Sequence, residues 1–180
     1  MIKKILFKLF KPILIFLLNI TKNLPFITIF KLRTFAYKFI LKKIGRNCTI
    51  CENVTIRTPD KLIIGNRVSI HPNTLIQAAG DITIGDNCGI ANNCSILTVD
   101  HDHALINIPQ KDQKINYKPV IIGNDVIIGS AAIIVGGTNI EEGSVIAPGS
   151  LVQGNIPAYS VVIGNPCRIV YNRKKISLKK

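Results

Sequence analysis

Isoleucine recurs at every sixth position along most of this chain. It stands at 44, 50 and 56, at 64, 70 and 76, at 84, 90 and 96, then at 122, 128, 134, 140 and 146, with Val152 closing the series. Fourteen of these fifteen phased positions are Ile, in a chain of 180 residues with 34 Ile in all. A period of six fits neither a helix nor a simple two-residue alternation. Sustained over this length, it is the signature of a parallel β-helix, in which six residues make one short strand and one tight turn and three such sides close a coil. The aliphatic residue fills the interior. Four positions on comes a small or β-branched side chain that fits beside it: Cys48, Val54, Val68, Thr74, Cys88, Cys94, Val126, Ala132, Thr138, Ser144 and Ser150. Gly follows the phased Ile at 45, 65, 85, 123 and 129, where we expect it to serve the corner geometry. Successive coils pair backbone to backbone at about 4.8 Å. The expected fold is therefore an all-β solenoid of five coils, at 44 to 61, 64 to 81, 84 to 101, 122 to 139 and 140 to 157.

The gaps in the series carry information too. The first two add two residues each, from Ile56 to Ile64 and from Ile76 to Ile84, and read as small corner expansions. The third runs from Ile96 to Ile122. An excursion of that length from a regular solenoid predicts a protruding loop near 98–119, and such loops commonly carry function. This one opens with Asp100, His101, Asp102 and His103.

Charge narrows the choice of partner. The chain has 23 basic and 10 acidic residues, a formal net charge of +13, which raises nucleic acid, a membrane surface or an anionic ligand. Residues 1–46 hold eleven basic side chains and no acidic one, and residues 168–180 hold six more basic ones. The stretch between them carries six basic and ten acidic residues, so the repeat region itself is slightly acidic. A nucleic-acid module would spread Lys and Arg over its folded face and interleave stacking aromatics. Here Trp is absent and all seven Phe fall before residue 40, so no nucleic-acid partner is expected.

The basic N-terminal segment alternates apolar stretches with lysines at helical spacing: Lys4, Lys8 and Lys11, then Lys31, Lys38 and Lys42. That is the pattern of basic amphipathic helices lying in a membrane interface. The window from Pro12 to Phe30 is interrupted by Asn19, Lys22, Asn23 and Pro25, and falls short of a full span. No small-residue cleavage site follows Ile20, against a signal peptide. An inserted or re-entrant segment, and a helical cap packed on the domain or on another subunit, stay open beside the interfacial reading. The chain then divides into a basic amphipathic segment at 1–43, the β-helix at 44–168 and a basic C-terminal tail at 169–180.

Among reactive residues, Cys48 and Cys51 form a lone CxxC, and Cys48, Cys88 and Cys94 fall on the inward phase, which points to core packing. Five cysteines without an export signal fit a reducing cytoplasm. The three histidines are His71, His101 and His103. A β-helix of this kind can hold a metal through three His, as the γ-class carbonic anhydrases do. The spacings of 30 and 2 here differ from that pattern, so no metal is expected, and a zinc enzyme stands only as an alternative. His101 could also be a solvated loop residue. Its other reading is a general base, a neutral imidazole able to take a proton from a hydroxyl nucleophile.

The segments "ILTVDHDH", "KPVIIGNDVIIGSAAIIVGGTNI" and "VIGNPCRIV", with the isoleucine ladder, give residues 44–170 a family resemblance. They resemble the hexapeptide-repeat acyltransferases, especially the maltose and galactoside acetyltransferases and the O-acetyltransferases of capsule and lipopolysaccharide synthesis. The N-terminus running into "KKIGRN" is similar to the polysaccharide-modifying members. The resemblance implies a left-handed β-helix, a homotrimer with sites in the clefts between prisms, and acetyl-CoA as co-substrate. It implies His101 as the catalytic base, Ser130 and Arg168 as cofactor contacts, and His71 with Asn73 as contacts to a sugar acceptor. The expected function is an acetyl-CoA-dependent O-acetyltransferase acting on a sugar hydroxyl of a surface polysaccharide or its lipid-linked precursor. Its expected place is the cytoplasm, peripherally bound to the inner face of the membrane. N-acetylation of an amino sugar and a non-catalytic trimeric scaffold at the membrane are the alternatives.

Overall fold

The structure, a computed structural model, describes residues 12–14, 16, 18, 20–24 and 27–177. Lys4, Lys8 and Lys11 of the expected amphipathic pattern lie outside the described residues. From residue 43 the chain winds as a three-sided parallel β-helix. The first face stacks the strands Lys43–Ile44, Leu62–Ile64, Ile82–Ile84, Val120–Ile122, Asn139–Ile140 and Asn155–Ile156. The second stacks Thr49–Ile50, Ser69–Ile70, Gly89–Ile90, Ile127–Ile128, Val145–Ile146 and Ser160–Ile163. The third stacks Thr55–Arg57, Leu75–Gln77, Ser95–Leu97, Ile133–Val135 and Leu151–Val152. Register is set by the ladder, because like stacks on like: Ile50 on Ile70, Ile64 on Ile84, Ile76 on Ile96, Ile90 on Ile128. The phased Ile from 64 to 146 are all buried, as are Ile50 and Val152, while Ile44 and Ile56 at the open first coil are half covered. Each buried Ile contributes on the order of 2 kcal/mol.

Five coils were expected, and the structure adds a partial sixth. Ile156 and Val162 continue the interior column on the first and second faces. This turn is hidden in the sequence because the step from Val152 to Ile156 is four residues, a shortened corner that breaks the phase.

The glycines after the phased Ile do a different job from the one expected. Among the described residues, none of Gly45, Gly65, Gly85, Gly123 and Gly129 has a positive φ. The left-handed corner residue comes three positions after the phased Ile: Asn47, Asn53, Arg67, Asn73, Asn87, Asn93, Asp125 and Ala131, and then Gly137, Gly143 and Gly149. Asn and Asp tolerate that region best among residues with a side chain. The glycines are instead required by close approach. A Cβ on Gly65 would sit 2.7 Å from the carbonyl carbon of Gly85, and one on Gly85 would sit 2.7 Å from that of Gly123, one coil further on. Along the same corner, Asp86 Oδ1 accepts from the Asn66 backbone N–H at 2.6 Å, and the Asp86 N–H donates to Asn124 Oδ1 at 2.7 Å. The Asn66 amide holds the exposed Asp86 carboxyl below the usual carboxylate range.

The open bottom of the prism is covered by a helix, Ile27–Tyr37. Ala36, Tyr37, Ile40 and Leu41 are buried against the first coil, and the Ile50 N–H donates to the Thr34 hydroxyl at 3.1 Å. Arg33 is the pin. It is 3% exposed and donates through Nη1 to the Ile50 carbonyl and through Nη2 to the carbonyls of Thr21, Lys22 and Leu24. Those last carbonyls close the stretch from 12 to 21, whose described residues are helical, so one guanidinium ties two helical segments to the β-helix. Residues 27–41 thus cover the first coil with one side. No helix among the described residues is long and apolar enough to cross a membrane.

At the other end, Arg168–Asn172 folds back antiparallel on Ser160–Ile163, so the chain past residue 168 begins as a strand of the second face. The short helix Arg173–Ser177 follows, with Lys174 over the Tyr159 ring at 4.0 Å.

Removing the Arg33 pin (Arg33→Ala) is expected to cost about 3 kcal/mol, because the buried Ile50 carbonyl loses its guanidinium donor and the charged link to the Thr21, Lys22 and Leu24 carbonyls goes with it. Urea denaturation followed by far-ultraviolet circular dichroism reads that loss. Burial also pushes the Tyr37 phenol up to about 12, whereas an unfolded tyrosine ionises near pH 10 (about). The unfolded state sheds this proton first, so Tyr37 stabilises the cap fully below about pH 10 and progressively loses that contribution up to about pH 12. Tyr37→Phe is expected to flatten alkaline unfolding over that window.

Candidate active site

Three corners run the length of the prism, and the candidate residues sort onto two of them. His71 and Asn73 follow the second-face strand Ser69–Ile70, Ser130 follows Ile127–Ile128, and Arg168 pairs with Ile163 at the end of the second face. All four therefore stand along the corner between the second and third faces. At about 4.8 Å per coil they form a strip roughly 20 Å long. Within it the Ser130 hydroxyl donates to Asn92 Oδ1 at 2.6 Å, and the Ser130 carbonyl accepts from the Gly149 N–H at 2.8 Å. Neither His71 nor Arg168 is covered. Asn73 has φ of 61°, like Asn53 and Asn93 in the coils on either side, so the turn itself accounts for an Asn there.

His101 lies across the third face, on the next corner. The excursion that follows Ser95–Leu97 is a folded arm: Val99–His101 pairs antiparallel with Ile115–Tyr117, with His101 opposite Ile115. Thr98 fixes its base. The Thr98 hydroxyl donates to the Gln77 carbonyl at 2.6 Å and accepts from the Gly80 N–H at 2.8 Å, while the Thr98 carbonyl accepts from the Lys118 N–H at 3.0 Å. Further out, buried Gln113 organises the turn. Its amide accepts from the Leu105 N–H and donates to the carbonyls of Leu105 and Ile108. Beyond this knot Ile106 is fully exposed.

His101 is exposed, and among the described residues its ring makes no hydrogen bond to a side chain. Its carbonyl lies 3.5 Å from His103 Nδ1. Between the base of the arm and the third face is a pocket of about 320 Å³ lined by Asp100, Lys118, Gly136 and Gln153, among others; Asp100, next to His101 in the strand, is the arm residue nearest to it in sequence. Gly136 permits the close fit, since a Cβ there would lie 3.1 Å from the Lys118 carbonyl oxygen. Sequence reasoning did not single out Lys118. The available signal was its place directly before Pro119, where the ladder resumes.

One chain therefore gathers His71, Asn73, Ser130 and Arg168 on one corner and leaves His101 on another. Six residues, at most about 20 Å of extended chain, separate the corner at Asn92 from the arm base at Thr98. No three His, Cys, Asp or Glu side chains converge as a metal-binding group among the described residues. The cysteines follow the packing expectation. Burial pushes the thiols of Cys51, Cys88 and Cys94 up, which disfavours the reactive thiolate.

A three-sided isoleucine prism with a histidine-bearing arm defines a class, and the comparisons place the chain in it: it belongs to the hexapeptide-repeat acetyltransferase family. A Saccharomyces cerevisiae protein named as an acetyltransferase is 34% identical over 138 residues, covering 73% of this chain and 68% of that protein. A Mycobacterium tuberculosis protein named as an acetyltransferase is 38% identical over 133 residues, 73% of this chain but 44% of that protein, so the chain spans less than half of that relative. The Escherichia coli protein named for acetyl transfer in colanic acid biosynthesis is 29% identical over 145 residues, covering 81% of this chain and 77% of its own length. In structure, galactoside acetyltransferase in complex with coenzyme A superposes with a TM-score of 0.76 at 27% identity, over 84% of this chain and 75% of that one. No protein-family model matches the chain.

The arm's dependence on Gln113 is testable. Gln113→Ala leaves the Leu105 N–H and two carbonyls without their partner and is expected to raise amide exchange at Leu105 and in its neighbours at least tenfold, while the prism amides stay protected. Hydrogen exchange read by mass spectrometry separates the two regions.

Proposed function

We propose that this chain transfers the acetyl group of acetyl-CoA to a hydroxyl of a sugar, in a surface polysaccharide or in its lipid-linked precursor. The observation that carries the reading is His101, an uncovered imidazole on a braced arm whose base lines a pocket. His101 takes the proton of the acceptor hydroxyl as the oxygen attacks the thioester carbonyl. The C–S bond then breaks, and the imidazolium returns the proton to the departing CoA thiolate. A backbone N–H must meet the oxyanion in between.

Acetyl-CoA lies along the corner of Ser130 and Arg168 in this reading, with the Arg168 guanidinium toward phosphate. His71, with Asn73, orients the acceptor. Because His101 stands on a different corner of the same chain, the complete site forms between copies, in a homotrimer whose prisms set the arm of one against the Ser130 corner of the next. The division of labour follows the chain: residues 1–43 meet the cytoplasmic face of the membrane, 44–168 carry the chemistry, and 169–180 add a basic tail. A glycan acceptor carried on a lipid would be met at that surface. The colanic acid and galactoside names of the relatives favour a sugar acceptor.

His101→Ala is expected to lower kcat for acetyl transfer by about 10²- to 10⁴-fold with the circular dichroism spectrum unchanged. Full turnover in that variant, measured by release of free CoA thiol with a galactoside acceptor present, would overturn the assignment. Mass spectrometry of the product, with hydroxyl and amino-sugar acceptors offered in parallel, separates O- from N-acetylation.

A further inference from the structure

Only one face of the capping helix Ile27–Tyr37 is used by the prism. Away from the prism, Leu32 and Phe35 of the helix and Phe39 in the turn that follows it are 59%, 54% and 45% exposed. Phe35 and Phe39 stack edge to face with centroids 5.2 Å apart, and Lys38 Nζ lies 5.9 Å from the Phe35 ring. Between the helix and the first coil is a cavity of about 230 Å³ lined by Lys31, Thr34, Phe35, Lys38, Gly45, Asn47 and Cys48. Its lining carries two ammonium groups, a hydroxyl and no carboxylate. The chain segment that carries the helix, residues 1–46, holds eleven basic side chains and no acidic one.

We propose that this cavity is a binding site for the phosphate-bearing headgroup of an anionic lipid, and that it seats the protein on the bilayer surface. The proposal rests on the reading of residues 1–43 as the membrane-facing part and gives that reading an address. Lys31 and Lys38 meet the phosphate from two positions seven residues apart, and the Thr34 hydroxyl, already accepting from the Ile50 N–H, can donate to a phosphate oxygen. Leu32, Phe35 and Phe39 enter the boundary between headgroups and acyl chains, where aromatic side chains with adjacent cations are favoured. Arg33 holds this helix rigidly on the prism, so binding here fixes the angle at which the prism stands on the membrane. A lipid-borne acceptor would then approach from a defined side.

The chain contains no Trp, so Phe39→Trp gives a single reporter in the full-length protein. Its emission is expected to shift to the blue on mixing with phosphatidylcholine vesicles containing phosphatidylglycerol, and not with phosphatidylcholine vesicles alone. Each lysine near an anionic surface strengthens binding about fivefold, so Lys31→Gln with Lys38→Gln should weaken vesicle flotation about 25-fold. Wild-type flotation in that double variant would overturn the site and assign binding to the other lysines of the segment. Equal flotation with uncharged vesicles, or release by millimolar inorganic phosphate, would overturn it as well. The double variant should still acetylate a soluble sugar at the wild-type rate. Loss of flotation with retained transfer supports the headgroup site, whereas absent transfer in the wild type tests the catalytic reading separately.

Discussion

The stacking of isoleucine on isoleucine inside a three-sided prism is the interaction on which the rest of this protein depends. A coil of six-residue sides encloses little volume, so one β-branched chain per side, with a small residue beside it, fills the space. Ile50, Ile70 and Ile90 each meet the same residue one coil away, and the backbone ladder holds that repeat near 4.8 Å (about). The glycine column from Gly45 to Gly123 is a consequence of the same closeness, since any side chain there would collide with the next coil. Stability is accordingly spread along the axis, each coil leaning on its neighbours.

That regularity explains why function gathers where the repeat is broken. A closed prism presents flat faces and narrow corners, and it cannot fold a pocket into itself. Concavity comes from the arm, which Thr98 fastens at its base and Gln113 braces within. The arm carries His101 and lines a pocket on the third face with its base, while the strip from His71 to Arg168 follows the neighbouring corner. Neither feature disturbs the Ile column, so both can differ in detail while the scaffold stays the same.

The two ends of the solenoid are solved differently. The last coil is closed by its own chain, with Arg168–Asn172 turning back on the second face. The first coil would expose Ile50 and Val54, and the capping helix covers them while Arg33 satisfies carbonyls of both the coil and the preceding helical stretch. One helix thus has two unlike faces. The inner one completes the core, and the outer one presents aromatics among lysines.

By itself the sequence determined the interior, because a six-residue period admits one backbone path and assigns every sixth side chain to the core. The long gap after Ile96 located the arm, the motifs around it singled out His101, and the three charge blocks separated a basic N-terminus from an acidic body. Tertiary structure decided what depends on contacts between distant residues. The step from Val152 to Ile156 concealed a sixth turn because periodicity cannot register a short corner. The glycines proved to answer the approach of the next coil, which no local rule reveals. Lys118 reached the pocket only because Gly136 lets the arm base settle against the third face. The separation of His101 from Ser130 across that face follows from the width of a strand. The apolar residues of the capping helix, uniform in the sequence, were divided between core and surface by the position of Arg33.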